Sequence, residues 1–214
     1  GGTILRRSGT TWTAEQALDG AVPITTNFYG LTGSGTDLYA VGEAGVVVKR
    51  SGDKWLREGK SLAVTASLFA TTMTAAGDVY ALGDLGTVLR KPMGGTWAKE
   101  PVSTSLSTAE FRAVSETSTD EITAVGLGGV IALRTAGAWN PDVLPRDSAD
   151  RVNYYGVAKT SEAVFIAGDS NRVLRRDTDK WRRESTGNLT GPSSNLFALV
   201  ASGQDLIVAG AAGL

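Results

Sequence analysis

Short apolar runs separated by glycine-rich turns recur along the whole chain, and their length and spacing are those of strands rather than helices. One unit reads as an apolar run at 38–42 closing on Gly42, a turn reaching Gly45, a second run at 46–50 ending in Lys49 and Arg50, and then Trp55. The phrase returns at 79–83, Gly86, 87–91 and Trp97, at 122–126, Gly129, 130–134 and Trp139, and at 164–168, Asn171, 172–176 and Trp181. Asn171 replaces the turn glycine, and Asn is the other residue that tolerates left-handed backbone, so a positive φ is expected at this position in every copy. A fifth copy is divided between the ends of the chain. Residues 206–210 with Ala211, Ala212 and Gly213 supply its first half, and Gly2, 3–7 and Trp12 its second, with the Gly2-to-Trp12 spacing equal to that of Gly45 to Trp55.

Trp12, Trp55, Trp97, Trp139 and Trp181 fall 43, 42, 42 and 42 residues apart, a period that predicts a propeller of four-stranded blades. The expected fold is all-β, a five-bladed β-propeller of antiparallel blades, closed by pairing the N- and C-terminal strands in one blade. The whole chain, 1–214, then forms one domain with blades at about 195–214 plus 1–20, 27–62, 67–103, 110–144 and 153–187. Within a blade the strands run outward from the axis, as at 28–32, 37–42, 46–50 and 55–58. The first strand carries a small residue in each copy (Gly30, Ala70, Ala113, Gly156 and Ala198), as crowding at the axis requires. The stretch at 14–18 is expected to form at most one helical turn.

The chain contains no His and no Cys, which removes Ser-His-Asp and Cys-His catalysis and metal sites built on imidazole or thiolate. No cofactor and no metal are expected. A formal net charge of -1 gives no electrostatic reason to bind nucleic acid, and no apolar run is long enough to insert into a membrane as a helix. A monomer is expected. The chain starts without Met inside a strand motif, which reads as a processed or excised form of a longer product, with export as the expected location.

Several repeated positions carry chemistry. Arg7, Arg50, Lys91, Arg134 and Arg176 sit five residues after the turn residue, and Glu15, Glu58, Glu100, Asp142 and Glu184 three after the Trp. The expectation is cross-strand ion pairs on the exposed outer strands, with the five tryptophans capping the packing between blades. Glu43, Asp84 and Asp169 follow the glycine that ends the second strand, on the rim where loops such as 14–27, 101–109 and 142–152 are expected to open. Before each small first-strand residue stand Tyr29, Phe69, Arg112, Tyr155 and Phe197, so an arginine interrupts an aromatic set. Arg112 either binds a sugar or carboxylate or neutralises Glu110 or Glu116.

The phrase DLYAVGEAGVVVKRSGDKW resembles the degenerate repeats of sialidase-type Asp-box propellers, and more closely the photosystem II assembly-factor-like repeats of bacterial propellers. Five-bladed lectins are similar in blade number. These resemblances imply a non-catalytic ligand-binding module, most simply one that binds a glycan through Tyr29, Arg112 and Tyr155. A protein-interaction scaffold is the alternative partner class. A glycoside hydrolase or lyase working with carboxylates alone, drawn from Glu43, Asp84 and Asp169, is the third reading.

Overall fold

A computed structural model describes residues 2–119, 121–142, 144, 151–178, 180–186 and 194–211, so Ala212, Gly213 and most of the 142–152 loop lie outside the described residues. The chain divides into two compact units, Gly1–Glu100 and Pro101–Leu214. The first unit holds β1 (Ile4–Ser8), β2 (Thr11–Asp19), β3 (Val22–Pro23), β4 (Phe28–Ser34), β5 (Asp37–Gly42), β6 (Val47–Ser51), β7 (Lys54–Glu58), β8 (Leu68–Met73), β9 (Val79–Gly83), β10 (Val88–Lys91) and β11 (Ala98–Lys99). The second holds β12 (Phe111–Ser118), β13 (Glu121–Gly126), β14 (Ile131–Thr135), β15 (Ala138–Pro141), β16 (Tyr154–Lys159), β17 (Val164–Gly168), β18 (Val173–Arg176), β19 (Trp181–Arg183), β20 (Leu196–Ser202) and β21 (Asp205–Gly210).

Each repeat folds as a four-stranded antiparallel meander: β4 to β7, β8 to β11, β12 to β15 and β16 to β19. The middle strands are covered on both faces, which is why their apolar residues run on without alternation; β9 is buried at every position. The core is layered between neighbouring sheets. In the first unit Tyr39, Val41 and Val47 pack against Leu68, Val79, Ala81, Leu89 and Trp97. In the second, Val125 and Ile131 pack against Tyr154, Ile166, Leu174 and Trp181.

The turn between second and third strands has the predicted backbone. Gly45, Gly86, Gly129 and Asn171 all have positive φ, and so do the preceding Ala44, Leu85, Gly128 and Ser170. The glycine ending each second strand serves a different purpose. A Cβ there would lie within about 2 Å of a backbone carbonyl oxygen of the first strand's entry, as Gly42 does to Asn27 and Gly168 to Asn153 (2.0 Å each). The small first-strand residues behave as expected: a Cβ on Gly156 would sit 2.7 Å from that of Leu199 on the next blade.

One expectation is corrected. Residues 14–18 are strand, not helix, because β2 pairs in parallel with β7 through Gln16, Ala17 and Leu18, burying Glu15 and Ala17 on alternate positions. Tertiary pairing there overrides the helix-favouring composition. β1 and β2 join β7's sheet, and β20 with β21 forms a two-stranded sheet. The parallel step from the end of one sheet to the outer strand of the next recurs where Val102 bridges Trp139.

Candidate functional site

Three acids of the ladder act with the tryptophans between blades, while cross-strand pairs also occur, as from Arg6 to Glu15 and from Arg90 to Glu100. Glu15 accepts hydrogen bonds from Arg50 Nε (2.8 Å) and Nη2 (2.7 Å) and from Trp55 Nε1 (2.9 Å), all on the following blade. Glu58 takes Trp97 Nε1 at 2.9 Å with Lys91 Nζ 3.8 Å away, and Asp142 takes Trp181 Nε1 at 2.7 Å with Arg176 Nη1 at 3.5 Å. The acid of one blade thus clamps the Trp and the cation of the next. Arg50's hydrogen bond, joined by that of Trp55 and the charges of Arg50 and Arg6, outweighs burial and holds the Glu15 carboxyl below its ordinary value. Trp55, Trp97, Trp139 and Trp181 are buried, but Trp12 is 62% exposed, because no blade precedes it within its unit.

The first-strand ring is displayed by a device that periodicity did not reveal. In every copy the ladder between first and second strands skips one residue. The breaks fall between Phe28 and Gly30, Leu68 and Ala70, Phe111 and Ala113, Tyr154 and Gly156, and Leu196 and Ala198. The extra residues are therefore Tyr29, Phe69, Arg112, Tyr155 and Phe197. A β-bulge leaves its extra residue out of the ladder and re-aims its side chain. The sequence signal is a doublet of large residues before a small one: Leu68 is buried in the core and Phe69 is displaced from it.

The bulged side chains meet their neighbours. In the first unit the Tyr29 ring, 47% exposed, lies 5.0 Å from Phe69. In the second the Tyr155 ring lies 5.2 Å from Phe197, itself 51% exposed. Arg112 Nη2 meets Glu110 Oε2 at 2.8 Å, the neutralising role considered from the sequence. Burial first, and then the charge of Asp169, push the Tyr155 phenol above its ordinary value, with Arg112 acting in the opposite direction. Tyr155, Asp169 and Arg112 thus share one electrostatic neighbourhood.

The three turn acids are placed by backbone anchors. The N–H groups of Glu43, Asp84 and Asp169 donate to the carbonyls of Asn27 (2.9 Å), Ser67 (3.0 Å) and Asn153 (3.0 Å), and Leu127 and Ala211 do the same in their copies. Glu43 Oε2 accepts from Asn27 N at 3.3 Å, and Asp169 Oδ2 accepts from Asn153 Nδ2 at 2.8 Å. The turn acids therefore tie each second-strand exit to the first-strand entry. Among the described residues no group of three His, Cys, Asp or Glu side chains is placed to hold a metal ion, and no helix is long and apolar enough to cross a membrane.

A cleft of about 520 Å³ in the first unit escaped the sequence reading. Tyr39, Met73 and Met93 line it with Asp37, Lys49 and Lys91, so both methionines of the chain face one cavity. Lys49 Nζ sits 2.6 Å from Asp37 and 5.4 Å from the centre of the Tyr39 ring. The two methionines are far apart in sequence and on different strands or loops, so no local pattern links them.

No family model matches the chain, and no curated protein matches it. Solved structures do. One titled "YCF48 bound to D1 peptide" is similar at 17% identity and a TM-score of 0.70, over 97% of this chain and 68% of that one. YCF48 from Cyanidioschyzon merolae is similar at 17% identity and a TM-score of 0.67, over 97% and 71%. The WD40 β-propeller domain of Doa1 is similar at 10% identity and a TM-score of 0.63, over 86% and 62%. These likenesses establish a repeat β-propeller fold.

Proposed function

We propose that this propeller is a protein-binding platform, with contacts made in each unit by its own bulged first-strand side chains. The observation that carries the reading is the repetition of the bulge in all five copies, which lifts Tyr29, Phe69, Arg112, Tyr155 and Phe197 out of the ladder. Bulges of this kind are features that aim side chains, and aromatic residues with an arginine are the types enriched in protein interfaces. The similar YCF48 structure with a bound peptide supports the same class of partner. The test is selection of peptides from an unbiased displayed library, followed by calorimetry. Tyr155→Ala and Phe197→Ala should each weaken a selected peptide at least tenfold while leaving the melting temperature unchanged. Failure to select any peptide, or affinity indifferent to both substitutions, contradicts the proposal.

A glycan is the second reading, favoured by the Tyr155 ring beside Asp169 and Arg112, since an aromatic face next to paired polar groups suits a sugar. Saturable binding on a glycan array that Tyr155→Ala abolishes, with no peptide selected, would make it the better one.

A further inference from the structure

The cleft in the first unit is built by departures from the repeat. In the second unit the corresponding seam between two blades is closed, because Arg176, its side chain 8% exposed, crosses from the end of β18 to Glu121 at the start of β13. Lys91 and Asp37 stand at those repeat positions in the first unit. Lys91 Nζ turns instead to Gly95 O at 2.5 Å, and Asp37 to Lys49 of its own blade at 2.6 Å. The loop after Lys91 is one residue longer than its counterparts and reads Pro92-Met93-Gly94-Gly95. Asp78 Oδ1 accepts from Met93 N at 2.9 Å, and the Met93 sulfur lies so close over Gly77 that a Cβ there would be 2.9 Å from it. Met93 is thus fixed in place although it is 74% exposed.

The space left open, about 520 Å³, is of the size that takes a small organic molecule. Its lining combines the thioethers of Met73 and Met93 and the Val79 side chain with two ammonium groups, Lys49 and Lys91, against a single carboxylate, Asp37. The bond to Asp37 outweighs burial and holds Lys49 above its ordinary value, so it stays cationic. Glu58, 3.8 Å from Lys91, lies outside the lining and accepts from Trp97 Nε1. We infer that this cleft binds a small aromatic carboxylate, with its ring against the methionine thioethers and its carboxylate on Lys49 and Lys91. Thioether sulfur packs favourably on aromatic rings, and the surplus of ammonium over carboxylate groups selects an anion above its neutral counterpart. The site is separate from the bulged residues of the protein-binding reading: Ser34 in its lining ends β4, and Tyr29 lies at the opposite end of that strand.

The chain has two methionines and both line the cleft, so a protein labelled at its methionine methyl groups gives two signals that report the site directly. With cinnamate as the probe, both signals should move along one saturable curve with a dissociation constant at or below about 1 mM. Cinnamamide, which keeps the shape and lacks the charge, should bind at least tenfold more weakly. Lys49→Gln and Lys91→Gln should each weaken cinnamate at least threefold, whereas Tyr155→Ala in the second unit should leave the curve unchanged. Where a lysine variant loses the parental methyl positions before any probe is added, the ratio of acid to amide affinity on the unsubstituted protein still decides. Methyl signals unmoved by cinnamate well above that concentration overturn the inference. So does equal affinity for the acid and the amide, or full-strength binding by both lysine variants. A selected peptide that moves both methyl signals where cinnamate does not would also overturn it, and would give the cleft to the protein partner.

Discussion

Removing the Glu15 carboxylate tests whether the clamp between blades holds the layers together. Its side chain is 4% exposed and accepts from Arg50, Arg6 and Trp55, and Trp55 is 2% exposed. In Glu15→Ala the indole N–H loses its acceptor where water does not reach it, at a cost of about 1–3 kcal/mol. The Arg50 side chain is 17% exposed and reaches water in part, so it adds less than the indole. The expected loss is about 2 kcal/mol, and with a urea dependence of about 2 kcal/mol/M the unfolding midpoint of the first unit falls by roughly 1 M. Tryptophan fluorescence during urea unfolding reads this directly. Glu15→Gln keeps an oxygen for the indole and should lose about half as much. The depressed carboxyl adds a pH signature, since its stabilisation is complete above the ordinary value of 4.5 and is lost as the pH falls through the lower folded value. The gap between the parent and Glu15→Gln should therefore be full at pH 6 and close towards pH 3. A Glu15→Ala midpoint within about 0.2 M of the parent, or a gap that does not change with pH, would refute the reasoning.

The other predictions concern packing, turns and the rim. Gly156→Ala places a Cβ 2.7 Å from that of Leu199 and should destabilise the second unit by about 1–3 kcal/mol, read by thermal unfolding. Leu85, 69% exposed at φ 54, should be replaceable by Gly with a gain of up to about 1 kcal/mol in the same assay, because left-handed strain is relieved against a smaller entropic loss. Asp169→Asn preserves the hydrogen bond from Asn153 in shape but removes the charge beside Tyr155, so the phenol should titrate at lower pH in ultraviolet difference spectra. Single neutralisation of Glu43, Asp84 and Asp169 should leave binding of a selected peptide within about threefold, as fits their role as turn anchors.

Much of the fold was legible because each repeat spends its conspicuous residues on packing. Trp, the turn glycine and the terminal cation recur at fixed spacing, and the strand limits at 37–42 and 55–58 reappear in β5 and β7 within a residue. The parallel pairing of β2 with β7 was not legible, since Ala14, Glu15, Gln16, Ala17 and Leu18 have helical propensity and their strand state depends on a partner about 40 residues away. The charged ladders were visible as a pattern but not as a contact. Glu15 and Arg50 lie on different blades, and sequence order places both on outer strands without saying which blade each faces. At the rim the candidate residues Tyr29, Arg112 and Tyr155 were found by their position before a small residue, while the bulge that displaces them is a backbone event with only the large-residue doublet as its trace. The cleft at Met73 and Met93 has no sequence period at all.

The most direct test of the binding surface is an amide and aromatic chemical-shift titration of the isotope-labelled protein with a peptide selected from an unbiased library. The account predicts the largest changes at the bulged residues, led by Tyr155 and Phe197 in the second unit and Tyr29 and Phe69 in the first. Changes confined to the outer strands, with those four rings unmoved at saturation, would contradict it.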